Sequence, residues 1–361
     1  MKIGILGGGQ LGRMLALAGY PLGIGVRCYD PVSDSPARDV AELISGPYED
    51  AGALARFLPG LDAVTYEFEN VPAETVRLIE KTVPVYPAPR ALEVGQDRLA
   101  EKEFFTALGI PTPRFQRVGS AGELEKAIGV TGLPAVLKTR RSGYDGKGQF
   151  RLLRREDATA AWQSMGGNPA ILEEFVPFER ELSVLAVRSR DGAAVCYPLI
   201  ENVHRNGILS VSRAPYPDPL LQKTASEYAY RLMRELGYCG VFALELFHAG
   251  GRLLANEMAP RVHNSGHWSI EGADTSQFEN HLRAVTGLPL GSTAAKGFSG
   301  MVNIIGDHPP VERILALPGV HLHLYGKSPR PLRKLGHVTV TAGDSAGRDR
   351  LLAAVRELLG A

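Results

Sequence analysis

The chain has 361 residues, 44% hydrophobic and 22% charged, a composition suited to two or three globular domains. Its formal net charge of +1 leaves no broad cationic field of the kind that holds nucleic acid. No apolar run approaches the ~18 residues of a membrane span, and the three scattered cysteines, Cys28, Cys196 and Cys239, form neither a disulfide framework nor a C-x-x-C motif.

The chain starts with "KIGIL", a short apolar strand, and "GGGQLGRMLALAGYPLG", a loop that opens a helix. Strand and turn come at once, with no signal-peptide pattern, so a soluble cytoplasmic protein is expected. "GVRCYD" is a second strand ending at Asp30, "DAVTYEFEN" a later one, and "PAETVRLIE" a helix with Pro72 in its first turn. Strands alternating with helices predict a parallel, doubly wound sheet over residues 1–95.

"QDRLAEKEFFTALGIPTPRF" predicts a helix stopped by Gly109 and Pro111, leading into a second domain over 96–290. Its smaller lobe, about 114–175, carries the strands "AVLKT", "GQFRLL" and "AILEEFV". "LQKTASEYAYRLMREL" has helical spacing with Gly237 at its end. "GVFALELF", "AGG" and "RLLANEM" predict an antiparallel hairpin, "TSQFENHLRAVTG" a helix, and 291–361 a small α+β domain.

Four features carry chemistry. Gly7, Gly9 and Gly12 spell G-x-G-x-x-G, with Asp30 closing the next strand. The pattern fits a dinucleotide site, a tight strand-to-helix turn, or a phosphate site for another ligand. "RRSGYDGKGQ", Arg140–Gln149, alternates glycines with Tyr, Asp and Lys directly after a strand that ends in lysine and threonine, as a lid over an anion would. Glu245 and Glu257 lie on either side of the hairpin turn; symmetry about Gly251 would set them face to face. Like charges so placed repel, and a shared divalent cation resolves the conflict. "APRVHNSGHW" follows. Pro260 and Gly266 argue against a helix presenting His263 and His267 to zinc, whereas Arg261, Asn264 and Ser265 suit a small oxyanion.

The lysine-ending strand, glycine-rich lid, "EEFV" strand and paired acids resemble the ATP-grasp ligases. Within them, "GGGQLGRM", "YEFENVP", "SGYDGKGQ", "ENVHRNGIL", "APRVHNSGHWSIEGADTSQFENHLRAV" and "LRKLGHV" resemble the N5-carboxyaminoimidazole ribonucleotide synthase family. These motifs span nearly the whole chain. The resemblance implies an α/β ATP-grasp architecture with a Rossmann-like N-terminal domain, a two-lobed centre and a C-terminal domain. It also implies a ligase that uses ATP and Mg²⁺ to carboxylate 5-aminoimidazole ribonucleotide with bicarbonate, and a homodimer.

By the same resemblance, nucleotide contacts fall to Arg98, Lys138, Gly143, Tyr144, Asp145, Gly146, Lys147, Gly148, Gln149, His204, Asn256 and Glu257. Glu173, Glu174, Phe175 and Val176 would border adenine and Glu181 the ribose, while Glu245 and Glu257 would hold magnesium. Ala259 stands where many ATP-grasp enzymes have a further asparagine, so two protein ligands are expected; Ser142 stands for a lid glycine. Gln10, Leu11, Glu67, Glu69, Lys327, Arg333 and Lys334 would bind the ribonucleotide. Arg261, Asn264 and Ser265 would hold bicarbonate, with Tyr144 and Lys147 assisting catalysis. The alternatives are a formate-dependent glycinamide ribonucleotide transformylase-like ligase, an NAD-dependent oxidoreductase built on the first loop, and a non-catalytic nucleotide-binding module.

Overall fold

A computed structural model describes residues 1–141, 143 and 148–360. The first unit contains β1 (Lys2–Leu6), α1 (Gln10–Gly19), β2 (Gly25–Asp30), β3 (Glu42–Ser45), α2 (Ala51–Phe57), β4 (Ala63–Tyr66), α3 (Ala73–Glu80) and α4 (Pro89–Gly95). Its parallel sheet has the order β3-β2-β1-β4. The apolar strands Lys2–Leu6 and Ala63–Tyr66 are almost wholly buried, as parallel strands covered on both faces must be. β4 is shorter than the predicted "DAVTYEFEN". It ends at Tyr66 because Glu67 turns back to the first loop, where its carboxylate accepts the N–H groups of Gly9 and Gly12. Pro72 is the residue that precedes α3 rather than part of its first turn.

Helix α5 (Arg98–Ala107) leads out of this unit, its N-terminal amides at Leu99 and Ala100 capped by Asp97. The small lobe comprises β5 (Phe115–Val118), α6 (Ala121–Thr131), β6 (Ala135–Thr139), β7 (Gln149–Leu152), α7 (Ala158–Ser164) and β8 (Ala170–Glu174). Its antiparallel sheet runs β5-β8-β6-β7, so the glycine-rich segment joins two neighbouring strands.

The remaining strands build one nine-stranded sheet. They are β9 (Arg180–Arg188), β10 (Ala194–Cys196), β11 (Ile200–Arg205), β12 (Ile208–Ala214), β13 (Gly240–Ala249) and β14 (Arg252–Ala259), then β15 (Phe298–Ile305), β16 (Val320–Leu324) and β17 (Lys334–Ala342). The main path is β14-β13-β9-β11-β12-β15-β17-β16. The C-terminal strands thus continue the central sheet through β12 and β15. Helix α8 (Pro219–Glu235) covers one part of the sheet with Ala225, Ala229, Leu232 and Met233. Between β14 and β15 lie α9 (Ser269–Gly272) and α10 (Gln277–Thr286); α11 (Val311–Leu315) and α12 (Ser345–Leu359) complete the chain. Among the described residues, no helix is long and apolar enough to cross a membrane.

His281 on α10 ties the first unit to the large sheet. Its ring is fully buried; Nδ1 accepts the Val241 N–H at 3.1 Å, which leaves Nε2–H to donate to Thr65 Oγ1 at 2.8 Å. Burial pushes its pKa down to about 3. Below about pH 6.5 the unfolded chain therefore takes up a proton here that the folded chain does not, and stability is lost as pH falls from about 6.5 towards that value. The urea midpoint of His281→Gln, lower overall, is expected to fall less steeply than that of the parent between about pH 6.5 and 4.5. Parallel curves would remove His281 from the pH dependence.

Candidate active site

A cavity of about 670 Å³ opens where the first unit, the small lobe and the large sheet meet. Gln10, Leu11, Glu67, Glu69, Arg98, Lys138, Gly143, Gln149, Glu181, His204, Glu245, Asn256, Glu257, Arg261, Asn264, Lys327 and Lys334 all line it. Tyr144, Asp145, Gly146 and Lys147 lie outside the described residues, as does Ser142.

The acid pair follows from the hairpin. Glu245 and Glu257 are register partners across β13 and β14, although the turn itself centres between Gly250 and Gly251. A bulge supplies the missing half-step: Ala255 pairs with Leu246, Glu257 with Glu245, and Asn256 is the extra residue. Glu245 is half-buried, and desolvation opposes its charge. The hydrogen bond from His263 Nε2 at 3.0 Å, with the positive fields of His204 and Arg261, nevertheless holds its carboxyl at about 2. Glu257 projects into the cavity without a hydrogen bond or ion pair among the described residues. Glu257 is exposed to the cavity; partial desolvation by the cavity walls and repulsion from Glu245 raise its pKa, while the fields of Arg98, Lys138 and Lys102 oppose the rise. One carboxylate has a hydrogen-bond partner and the other has none among the described residues.

His263 is held by a buried chain of hydrogen bonds. Ser212 donates to Asn202 Oδ1, Asn202 Nδ2 to Ser183 Oγ, and Ser183 to Ser265 Oγ, which lies 2.9 Å from His263 Nδ1. Because Nδ1 also accepts the Ser265 N–H, the proton sits on Nε2 and points at Glu245. Ser265 is fully buried and does not line the cavity, which corrects its assignment to bicarbonate; its hydroxyl orients His263 instead. Asn264 does line the cavity, its amide fixed by two reciprocal hydrogen bonds with Asn303 at 2.7 and 3.1 Å. Arg261 already grips a carboxylate of the protein, Glu69, whose pKa is held at about 2 against its burial by that guanidinium.

The glycine-rich first loop is closed from within. Glu67 accepts Gly9 N–H at 2.6 Å and Gly12 N–H at 2.8 Å, and Asp30 accepts Gly8 N–H at 2.6 Å. A Cβ on Gly7 or Gly9 would fall 2.5 or 2.6 Å from Glu67 atoms, so the glycines admit an internal carboxylate. This is the tight-turn reading, with the helix N-terminus satisfied by the protein's own anion, and it removes the dinucleotide reading.

At the other end, Lys138 Nζ bonds Glu173 at 2.9 Å and Arg98 donates to Thr139 O at 2.8 Å and Gly143 O at 2.9 Å. Arg98 therefore fastens the described stem of the lid. Glu181 and His204 form a 2.7 Å pair on the wall. Burial would lower the imidazole pKa, but Glu181 and the nearby acids raise it. Glu173, Glu174, Phe175 and Val176 do not line the cavity. Glu173 is a buried partner of Lys138, Glu174 pairs with Arg114, and the backbone N–H groups of Glu174 and Phe175 are taken by Arg114 O and Pro134 O. Those two amides cannot also read adenine. Gly148 and Arg333 do not line the cavity; Arg333 donates to Ser328 O. Lys327 contacts Gln10 and its burial lowers its pKa to about 8.

Sequence reasoning missed Gln96, Glu101, Phe247, Met258 and, as cavity residues, His263 and His267. Gln96 holds the Glu67–Asn70 loop through Glu69 O and Val71 O, both at 2.8 Å. Glu101 sat in an ordinary amphipathic pattern; the "QDRLAEK" charge run just after the domain junction was the available signal.

The donor set for a cation is two facing carboxylates, with no cluster of three or more metal-binding side chains among the described residues. Unpartnered Glu257 beside Glu245 fits a hard divalent ion that takes its remaining ligands from phosphate and water, as Mg²⁺ does.

Comparison with known proteins agrees along the whole chain. Residues 1–96 match a ribonucleotide synthetase preATP-grasp domain, 103–278 an ATP-grasp domain, and 299–350 a phosphoribosylaminoimidazole carboxylase C-terminal domain. A relative from Pseudomonas aeruginosa, N5-carboxyaminoimidazole ribonucleotide synthase, is 52% identical over 361 residues and 100% of both chains. The crystal structure of N5-carboxyaminoimidazole ribonucleotide synthetase from Thermus thermophilus superposes with a TM-score of 0.95 at 56% identity, over 99% of this chain and 98% of that one. An Aspergillus clavatus synthase in complex with ADP and 5-aminoimidazole ribonucleotide gives a TM-score of 0.93 at 30% identity, again over 99% and 98%. The chain belongs to the N5-carboxyaminoimidazole ribonucleotide synthase family of ATP-grasp enzymes.

Proposed function

We propose that this chain carboxylates the exocyclic amine of 5-aminoimidazole ribonucleotide, using ATP and bicarbonate, in purine biosynthesis. The observation that carries the reading is the continuity of one cavity from Lys138 and the Glu245–Glu257 pair to Gln10, Lys327 and Lys334. A nucleotide triphosphate and a second phosphorylated substrate need such opposite ends with an acceptor between them.

The nucleotide lies with its phosphates near Lys138 and Arg98 and its ribose near the Glu181–His204 pair. Bicarbonate lies beside Arg261, His263 and Asn264, where an oxygen attacks the γ-phosphorus and ADP leaves. The resulting carboxyphosphate breaks its C–O bond to give carbon dioxide and phosphate. The substrate amine captures carbon dioxide, and phosphate is the base on hand for the released proton. A glycine-rich cover over this step keeps water from the mixed anhydride. When bound, Mg²⁺ on Glu245 and Glu257 would neutralise charge on the β- and γ-phosphoryl oxygens. The chain acts in the cytoplasm and assembles as a homodimer under this reading.

ADP release in carbonate-depleted buffer tests the proposal. It is expected to require both 5-aminoimidazole ribonucleotide and added bicarbonate, and to yield an acid-labile carboxylated product. Turnover with formate and glycinamide ribonucleotide instead would keep the fold assignment and overturn the substrate. Glu245→Gln keeps an acceptor for His263 but halves the charge of the pair; a loss on the order of 10²-fold in ADP release is expected, with an unchanged melting temperature. Turnover near that of the parent would remove the pair from the chemistry.

A further inference from the structure

Helix α5 places two adjacent charged residues, Glu101 and Lys102, against the peptide groups on either side of Glu257. Both are buried, 2% and 1% exposed. Lys102 Nζ donates to Asn256 O at 2.6 Å and Ala255 O at 3.2 Å, and lies 3.6 Å from Glu173 Oε2. Two of its protons thereby meet carbonyl acceptors, and Glu173 supplies a nearby countercharge. Glu101 Oε1 accepts the Met258 N–H at 2.7 Å. The contacts have a backbone cause. β14 is an edge strand, so its outward peptide groups have no ladder partner. The bulge adds Asn256 to those that need one. A buried lysine is a costly way to satisfy two carbonyls, which a neutral donor could serve, and neither side chain hydrogen-bonds Glu257, though both act on it electrostatically.

We propose that Glu101 and Lys102 are positioning residues for Glu257: they lock the bulged segment 255–258 so that the Glu257 carboxylate meets the cation shared with nucleotide phosphate. The inference rests on the cation assignment above but has its own readout. If Lys102 served only as counter-charge to Glu173, its loss would act through Lys138, the phosphate-facing lysine, whether or not metal is present. If it fixes Glu257, the damage follows the metal.

The test is calorimetric titration of ADP into the full chain, with saturating Mg²⁺ and separately with excess chelator. Lys102→Met is expected to lose on the order of tenfold in affinity with Mg²⁺ and little without it. Lys102→Arg, which keeps the donors and the charge, is expected to recover most of the difference. Glu101→Gln, which can still accept the Met258 N–H, is expected to stay near the parent, while Glu101→Ala shows the Mg²⁺-dependent loss. Equal losses with and without metal, or none in either, would overturn the proposal. Should Lys102→Met fail to fold, the Glu101 pair decides in the same way. A parent chain whose ADP affinity does not respond to Mg²⁺ would overturn the cation assignment itself, and the positioning role with it.

Discussion

Two glutamates facing each other across one hairpin set the terms for the rest of this molecule. Two carboxylates on one face of a cross-strand pair repel each other, and the repulsion raises the pKa of Glu257. The structure answers this on one side only. His263, backed by the Ser212–Asn202–Ser183–Ser265 chain, keeps Glu245 ionised. Glu257 is left without a partner, its pKa raised. A site so built favours a positive charge beside Glu257.

The same economy of charge explains the N-terminal unit. A glycine-rich turn at a helix N-terminus attracts an anion, and here the anion is Glu67, held by two backbone amides. Arg261 likewise takes Glu69. Both pairings fix the loop after β4, which brings Gln10 and Leu11 alongside Lys327 and Lys334 at one end of the cavity. Internal acids thus shape a binding surface whose own ligands are anionic, and they prevent the cationic groups from collecting into one strongly positive field.

Much of this was legible in the residues. Periodicity identified the long helix α8, and strand–helix alternation the first unit, because each leaves a regular pattern of apolar residues. The facing of Glu245 and Glu257 was anticipated from symmetry about Gly251, yet it arises from a turn one half-step away plus a bulge at Asn256. Local sequence does not announce a bulge whose partners are Lys102 and Glu101, roughly 150 residues earlier in the chain. Ser265 shows the same limit. Beside two histidines it has the chemistry of an oxyanion ligand, but burial beneath β9 commits its hydroxyl to Ser183 and His263. The Glu67 cap was hidden because it joins residues more than fifty positions apart, while G-x-G-x-x-G reads identically for a cofactor or a carboxylate.

The central claim is that bicarbonate is phosphorylated in this cavity before carbon reaches the amine. Turnover with ¹⁸O-labelled bicarbonate, followed by mass analysis of the inorganic phosphate, tests it most directly. Attack of a bicarbonate oxygen on the γ-phosphorus leaves that oxygen in phosphate when the C–O bond breaks, so one labelled oxygen per phosphate formed is expected. Unlabelled phosphate, with the carboxylated product still formed, would contradict the mechanism and mean that ATP is cleaved by another acceptor.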